Sequence, residues 1–236
     1  DGDIAFVADQ LSGLQVIDIS DPSAPNLLGS LDTPGSALAV TSSGKRVFVA
    51  DSGSGLQIID VSNPASPTFE GVYDTPGFAI AVAVAGDHAF VADYTDGLQV
   101  IDISNPALPT LAGSLSTPGN ASGIAVDGDY VFIADESLGL RIVDVSAPGS
   151  PVSIGFIDTA GSALGVAVDG EYAFVADGGN GLLVFDILDP TNPTLIGGYN
   201  SPGNARSVAV TGNRAFLADD SSGLQVVDIT DPTSPT

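Results

Sequence analysis

The chain has 236 residues, with 5 Lys and Arg against 29 Asp and Glu and a formal net charge of −24 at pH 7. A field of that sign repels phosphate backbones and anionic lipid, so nucleic acid and direct membrane insertion are poor expectations. There is no cysteine and one histidine, His88, which excludes disulfides, thiolate metal sites and multi-histidine metal sites within a single chain.

The acid is almost entirely aspartate, since only Glu70, Glu136 and Glu171 are glutamates. Aspartate bonds nearby backbone in turns, whereas glutamate and lysine favour helix. Together with 29 Gly and 16 Pro, this composition predicts strands and turns with essentially no helix. No run approaches the 18 apolar residues a membrane-spanning helix needs.

Taken in chain order, the first element is a strand around Phe6. It is followed by Ala8-Asp9, a short loop, and Gly13-Leu14 opening a second strand. The same signature returns every 42 residues: Asp9, Asp51, Asp93, Asp135, Asp177 and Asp219 stand in one register. A Gly-Leu pair follows each of them, and two prolines close each copy, as at Pro22 and Pro25. In the copy that begins near Ser162, strand A is expected over 163–168, strand B over 172–176, strand C over 182–187 and strand D over 194–199. Four short strands in about 42 residues match one propeller blade.

Strand A carries Ala at 37, 79, 121, 163 and 205, and Val or Ile at 40, 82, 124, 166 and 208. One small face and one bulky face let neighbouring sheets interdigitate, with the strand B phenylalanines filling the space between them. The expected fold is therefore an all-β propeller of six four-stranded antiparallel blades over residues 1–236. The chain starts at strand B of the first unit and ends after strand C of the last, 16 residues short of six full periods. Three readings of that deficit stay open: a six-bladed ring with an incomplete seam between 1–32 and 204–236, part of a longer protein with more blades, and five closed blades with a spare hairpin.

The strand C cores are Leu14-Gln-Val-Ile-Asp18, Leu56-Gln-Ile-Ile-Asp60, Leu98-Gln-Val-Ile-Asp102, Leu140-Arg-Ile-Val-Asp144, Leu182-Leu-Val-Phe-Asp186 and Leu224-Gln-Val-Val-Asp228. They resemble the LVIVD repeat in all six copies, with Phe185 the main departure. The resemblance implies a β-propeller of bacterial or archaeal surface and secreted proteins, and hence an extracellular or cell-surface location. It carries no general catalytic motif to map onto this chain.

The six aspartates at 9, 51, 93, 135, 177 and 219 share a face with the Thr-Pro-Gly loops, and a ring of carboxylates offers the oxygen ligands Ca²⁺ takes. The preferred reading is structural: each caps its tight loop through an Asx-turn. The second repeated aspartate, at 18 and its equivalents, is expected to organise the turn that follows. His88 sits after the Gly86-Asp87 turn on the opposite face and reads as a solvated turn residue. No cofactor is expected beyond the Ca²⁺ alternative.

Functional sites break repeat symmetry. The columns at 36, 78, 120, 162, 204 and at 38, 80, 122, 164, 206 diverge at the start of strand A. They nominate Phe78, Asn120, Ser122, Asn204 and Arg206 as ligand-binding candidates. Tyr94 and Leu138, at variable B–C loop tips, are candidates for surface recognition. Asn120-Ala121-Ser122 also fits the glycosylation sequon, a short and weakly specific match. No nucleophile–base pair is visible, so the first expectation is a non-enzymatic module presenting loops to a partner protein or glycan at a surface. Two alternatives stand beside it: a subunit self-associating through the open seam, and a hydrolase using a carboxylate or Ca²⁺ site at the channel mouth.

Overall fold

A computed structural model describes residues 2–236. The fold is an all-β propeller of six blades, with three strands in the first and last blades and four in each of the others. The only helical turn among the described residues is a 3-10 turn at Asp220–Ser222. Two compact units divide the chain, Asp1–Ser114 and Leu115–Thr236.

The first unit holds three sheets. Blade one is β1 (Ile4–Ala8), β2 (Leu14–Asp18) and β3 (Asn26–Leu31). Blade two is β4 (Ala39–Ser43), β5 (Arg46–Ala50), β6 (Leu56–Asp60) and β7 (Thr68–Tyr73). Blade three is β8 (Ala81–Ala85), β9 (His88–Ala92), β10 (Leu98–Asp102) and β11 (Thr110–Leu115). Each sheet is an antiparallel meander ordered as in the sequence. Phe48 of β5 packs against Ala79, Val82 and Ala89 of the next blade. Leu14 and Val16 pack against Val47, Val49 and Ile59. A buried aromatic or branched side chain contributes about 1.5–3 kcal/mol, and blade two buries such residues on both faces, Phe48 and Ile58 on one and Val47, Val49 and Ile59 on the other. The blades therefore stabilise one another as a stack, which a single blade could not do alone.

The second unit repeats the plan. Blade four is β12 (Gly123–Asp127), β13 (Tyr130–Ala134), β14 (Leu140–Asp144) and β15 (Val152–Ile157). Blade five is β16 (Gly165–Asp169), β17 (Tyr172–Ala176), β18 (Leu182–Asp186) and β19 (Thr194–Tyr199). Blade six is β20 (Ser207–Thr211), β21 (Arg214–Ala218) and β22 (Leu224–Asp228). Phe132 and Phe174 fill the spaces under Ala163, Val166 and Ala173, and under Ala205, Val208 and Ala215.

Strands B and D of blade five match the sequence expectation residue for residue, but strand A begins at Gly165 rather than 163. Ala163 leaves the ladder because its N–H and C=O pair instead with Glu136 of the preceding blade. Strand D carries a β-bulge against strand C in four blades, as at Val184/Phe185.

The second repeated aspartate organises its turn as expected. Asp18, Asp60, Asp102, Asp144 and Asp228 each accept the N–H of the residue two positions on, at 2.7–2.9 Å. Those bonds from Ser or Thr hold these five carboxyls below the ordinary value of 3.8, as similar bonds do for Asp21, Asp189 and Asp231. The folded state thus binds fewer protons at these eight sites than the unfolded chain. Their contribution is complete above pH 3.8 and is lost as pH falls through the lower folded values. Asp93 runs the other way: burial raises its pKa against the bonds from Thr75 and Gly77, so its ionisation costs stability as pH rises above 3.8. Eight sites oppose one, so the urea midpoint is expected to fall steadily between pH 4 and pH 2. A midpoint that stays level or rises over that interval would contradict this.

Candidate functional site

The loop face of each unit is built from two recurring devices that hold variable side chains. The first is a cross-link. Asp51 is fully buried and accepts the Thr33 hydroxyl at 2.6 Å and the Gly35 N–H at 2.8 Å, reaching 16–18 residues back to its own blade's Thr-Pro-Gly loop. Asp93 does the same with Thr75 and Gly77, and Asp219 with Ser201 and Gly203. Asp177 takes the Thr159 hydroxyl and, on its other oxygen, the Asn180 amide. These aspartates are structural, but not through a local Asx-turn. The carboxylate is fixed by a neighbouring connection instead, because a buried charge needs several donors and its own loop supplies too few. Among the described residues no group of three or more acidic or histidine side chains is placed to hold a metal ion.

The second device is a latch. The residue after each of these aspartates has a left-handed backbone: Gln10, Ser52, Tyr94, Glu136 and Asp220 lie at φ 45–50°, and Gly178 at 58°. Ser52 exchanges both backbone hydrogen bonds with Ala79 of the following blade. Gln10 does so with Ala37, Glu136 with Ala163 and Gly178 with Ala205. This left-handed conformation costs a non-glycine residue about 1 kcal/mol or more, and it is kept at Asp220, which has no following blade to bond among the described residues. Five of six positions carry a side chain regardless.

Those side chains meet the divergent strand A columns. The Asn120 amide donates to Glu136 at 2.9 Å, and Arg206 pairs with Asp220 at 3.0 Å on an exposed rim. Asn204 lies beside Gly178 and Ser162. In the first unit Phe78 is 54% exposed, with its ring over Gly53. Ser122 differs from the other candidates: its hydroxyl lies 3.1 Å from the carbonyls of both Ala134 and Ala163 and is spent on backbone. The sequon is therefore engaged at both ends, by Glu136 and by these carbonyls. Tyr94 and Leu138 are half-buried rather than exposed, whereas the tip residue Leu11 is 83% exposed. His88 starts β9 opposite Asp102 and stands 6.5 Å from the Phe90 ring.

Blade four departs from the pattern in a way the sequence reading did not weigh. Arg141 replaces the glutamine of Gln57 and Gln99, and draws the Asp135 carboxylate to its Nε at 3.2 Å. Gly119 is left at 3.3 Å, and the Thr117 hydroxyl and Asp135 Oδ1, both buried, have no partner. Arg141 also reaches Ser153 and lies under the Phe156 ring, two further departures confined to this blade. The visible signal was a simultaneous change in three columns. Thr75→Val should cost about 1–3 kcal/mol by leaving Asp93 short of a donor, while Thr117→Val should be within about 0.5 kcal/mol of neutral. Chemical denaturation of the two variants checks this, and equal losses would refute the difference between blades.

The LVIVD repeat model matches residues 1–33, 34–75, 76–117, 118–159, 160–201 and 202–236. The chain belongs to the LVIVD repeat family. No curated protein matches it in sequence. Among solved structures, a candidate 6-phosphogluconolactonase from Bacteroides uniformis is similar with a TM-score of 0.81 at 16% identity, over 98% of this chain and 78% of its own. A functionally unknown protein from Desulfotomaculum acetoxidans follows at 0.76 and 17%, over 96% and 75%. The computationally designed Ika8 protein reaches 0.72 at 11%, over 97% and 69%. At these identities the likeness concerns the fold of the LVIVD chain alone.

Proposed function

We propose that this LVIVD-repeat chain is a non-enzymatic extracellular or cell-surface binding module whose loop face takes a neutral glycan. The observation that carries the reading is the retention of side chains at the strained latch positions, beside the columns where the repeats diverge. Strain kept where glycine would relieve it points to use of the side chain. The first unit alone offers the exposed Phe78 ring, the Tyr94 phenol, the Gln10 amide and the Ser36 and Ser52 hydroxyls, which suits the apolar face and hydroxyl rim of a sugar. Net charge −24 disfavours anionic partners. The enzyme alternative is weaker, because the repeated aspartates are committed to Thr, Gly and Arg donors inside the loops.

A glycan array probed with the native chain and with Phe78→Ser tests this, since serine already stands at the equivalent positions 36 and 162. Binding to neutral glycans that falls at least tenfold in the variant supports the reading. An array that stays blank, or binding indifferent to the substitution, overturns it.

A further inference from the structure

On the outer rim of blade two lies a largely apolar cleft of about 810 Å³ that reaches Pro34 at the border of the loop face. Its walls include Phe69 and Val72 of β7 and the Ala107-Leu108-Pro109 turn that leads into β11. Phe69, Val72 and Leu108 are 48%, 56% and 71% exposed. Leu108 stands where the other repeats have Ala24, Ser66, Ser150, Asn192 and Ser234. Phe69 is the largest residue of its column, and Val72 replaces the serine of Ser30 and Ser114. Leu108 and Val72 are apolar where most other repeats carry a small or polar residue, and Phe69 enlarges a column otherwise held mostly by leucine, all around one cleft whose volume lies in the range of ligand sites. Folded surfaces rarely leave such a cluster open without use.

Two further features narrow the occupant. β7 ends its sheet and ladders only to β6, so its outer backbone edge carries no strand beyond it among the described residues. No lysine or arginine lines the cleft, and the one carboxylate there, Glu70, is held by Arg46 at 2.7 and 2.9 Å. A ligand with an anionic head finds no partner in this lining and meets the repulsion of a chain at −24.

We propose that this cleft captures an extended apolar peptide segment flanked by basic residues, which adds as a strand to the edge of β7. Its apolar side chains settle against Phe69, Val72 and Leu108, its backbone completes the ladder, and its lysines or arginines answer the acidic field. The peptide site borders the loop face at Pro34 but is made by Phe69, Val72 and Leu108, and it does not rest on the glycan reading.

The probe is the fluorescein-labelled peptide Lys-Leu-Val-Leu-Val-Lys, titrated by anisotropy against the full chain. The expected result is saturable binding below 1 mM that weakens at least tenfold in Leu108→Ser and in Phe69→Ser. Serine occupies the matching positions 66, 150 and 153, and unchanged thermal midpoints show that both variants are folded. Binding should also weaken at least tenfold when glutamate replaces the lysines or proline replaces the valines, because proline cannot donate to the ladder. Absence of binding up to 1 mM, indifference to the serine substitutions, or equal binding of the glutamate or proline peptide would overturn the proposal. A chain that sediments as a dimer dispersed by Leu108→Ser would assign the cleft to a second copy and equally overturn it.

Discussion

Asp51→Ala is expected to destabilise the first unit by about 2–4 kcal/mol, read as a lower urea midpoint with an unchanged slope. The carboxylate is fully buried and answers two donors, the Thr33 hydroxyl and the Gly35 N–H, at 2.6 and 2.8 Å. Alanine removes the acceptor and leaves both donors facing a cavity, each costing about 1–3 kcal/mol if water does not replace the bond. The desolvation recovered by deleting a buried charge offsets part of this, which is why the expected sum sits in the lower half of the range. Asp51→Asn separates the parts, because it keeps the shape and one acceptor. It should lose about half as much. An alanine variant as stable as the native chain would mean that the cross-link is not what holds the loop.

Gly55→Ala should cost more, on the order of 3 kcal/mol or above, and should leave little folded protein at 37 °C. Gly55 closes the β5–β6 loop at φ 68°, and a Cβ there would lie 2.3 Å from the Tyr73 carbonyl oxygen and 2.6 Å from the Thr75 N. The conformational penalty alone is about 1 kcal/mol; the backbone collision adds the rest, since neither atom can move without breaking the blade. The contrast within the same kind of loop is instructive. Tyr94 is also left-handed, at φ 50°, yet it carries a half-buried side chain. Tyr94→Gly is therefore expected to stabilise by up to about 1 kcal/mol, less whatever packing the ring contributes. Thermal unfolding of the two variants in parallel decides it, and a glycine at 94 that destabilises by more than 1 kcal/mol would show that the tyrosine is structural.

That pair also shows where the sequence was legible. Gly13, Gly55, Gly97, Gly139, Gly181 and Gly223 all have positive φ, and at Gly13, Gly55, Gly139 and Gly181 backbone also fills the space a Cβ would need; unbroken 42-residue columns of this kind specified blades, strands and loop face. The cross-link was harder to see. Its partners are 16–18 residues apart, and each column looks self-sufficient when read along the chain. The available clue was that 33, 75, 117, 159 and 201 keep a hydroxyl even when Thr becomes Ser, as a donor must. The blade-four exception and the rim cleft lay deeper. Arg141, Ser153 and Phe156 are individually ordinary substitutions, and only the antiparallel register brings Arg141 against Phe156 and near Ser153. Leu108 joins Phe69 because the turn of one blade packs on the outer strand of the blade before it. A Cβ on Gly71 would lie 2.0 Å from the Pro106 carbonyl oxygen.

The loop face therefore separates into parts that fold the chain and parts that fold does not require. The most direct measurement of that division is a fourfold variant, Phe78→Ser, Tyr94→Gly, Asn120→Ser and Arg206→Leu, in which each position takes a residue used by another repeat. Its thermal midpoint and its glycan-array profile are recorded together. The account predicts a midpoint equal to or above that of the native chain with binding abolished. A collapsed midpoint, or binding that survives all four exchanges, would contradict it.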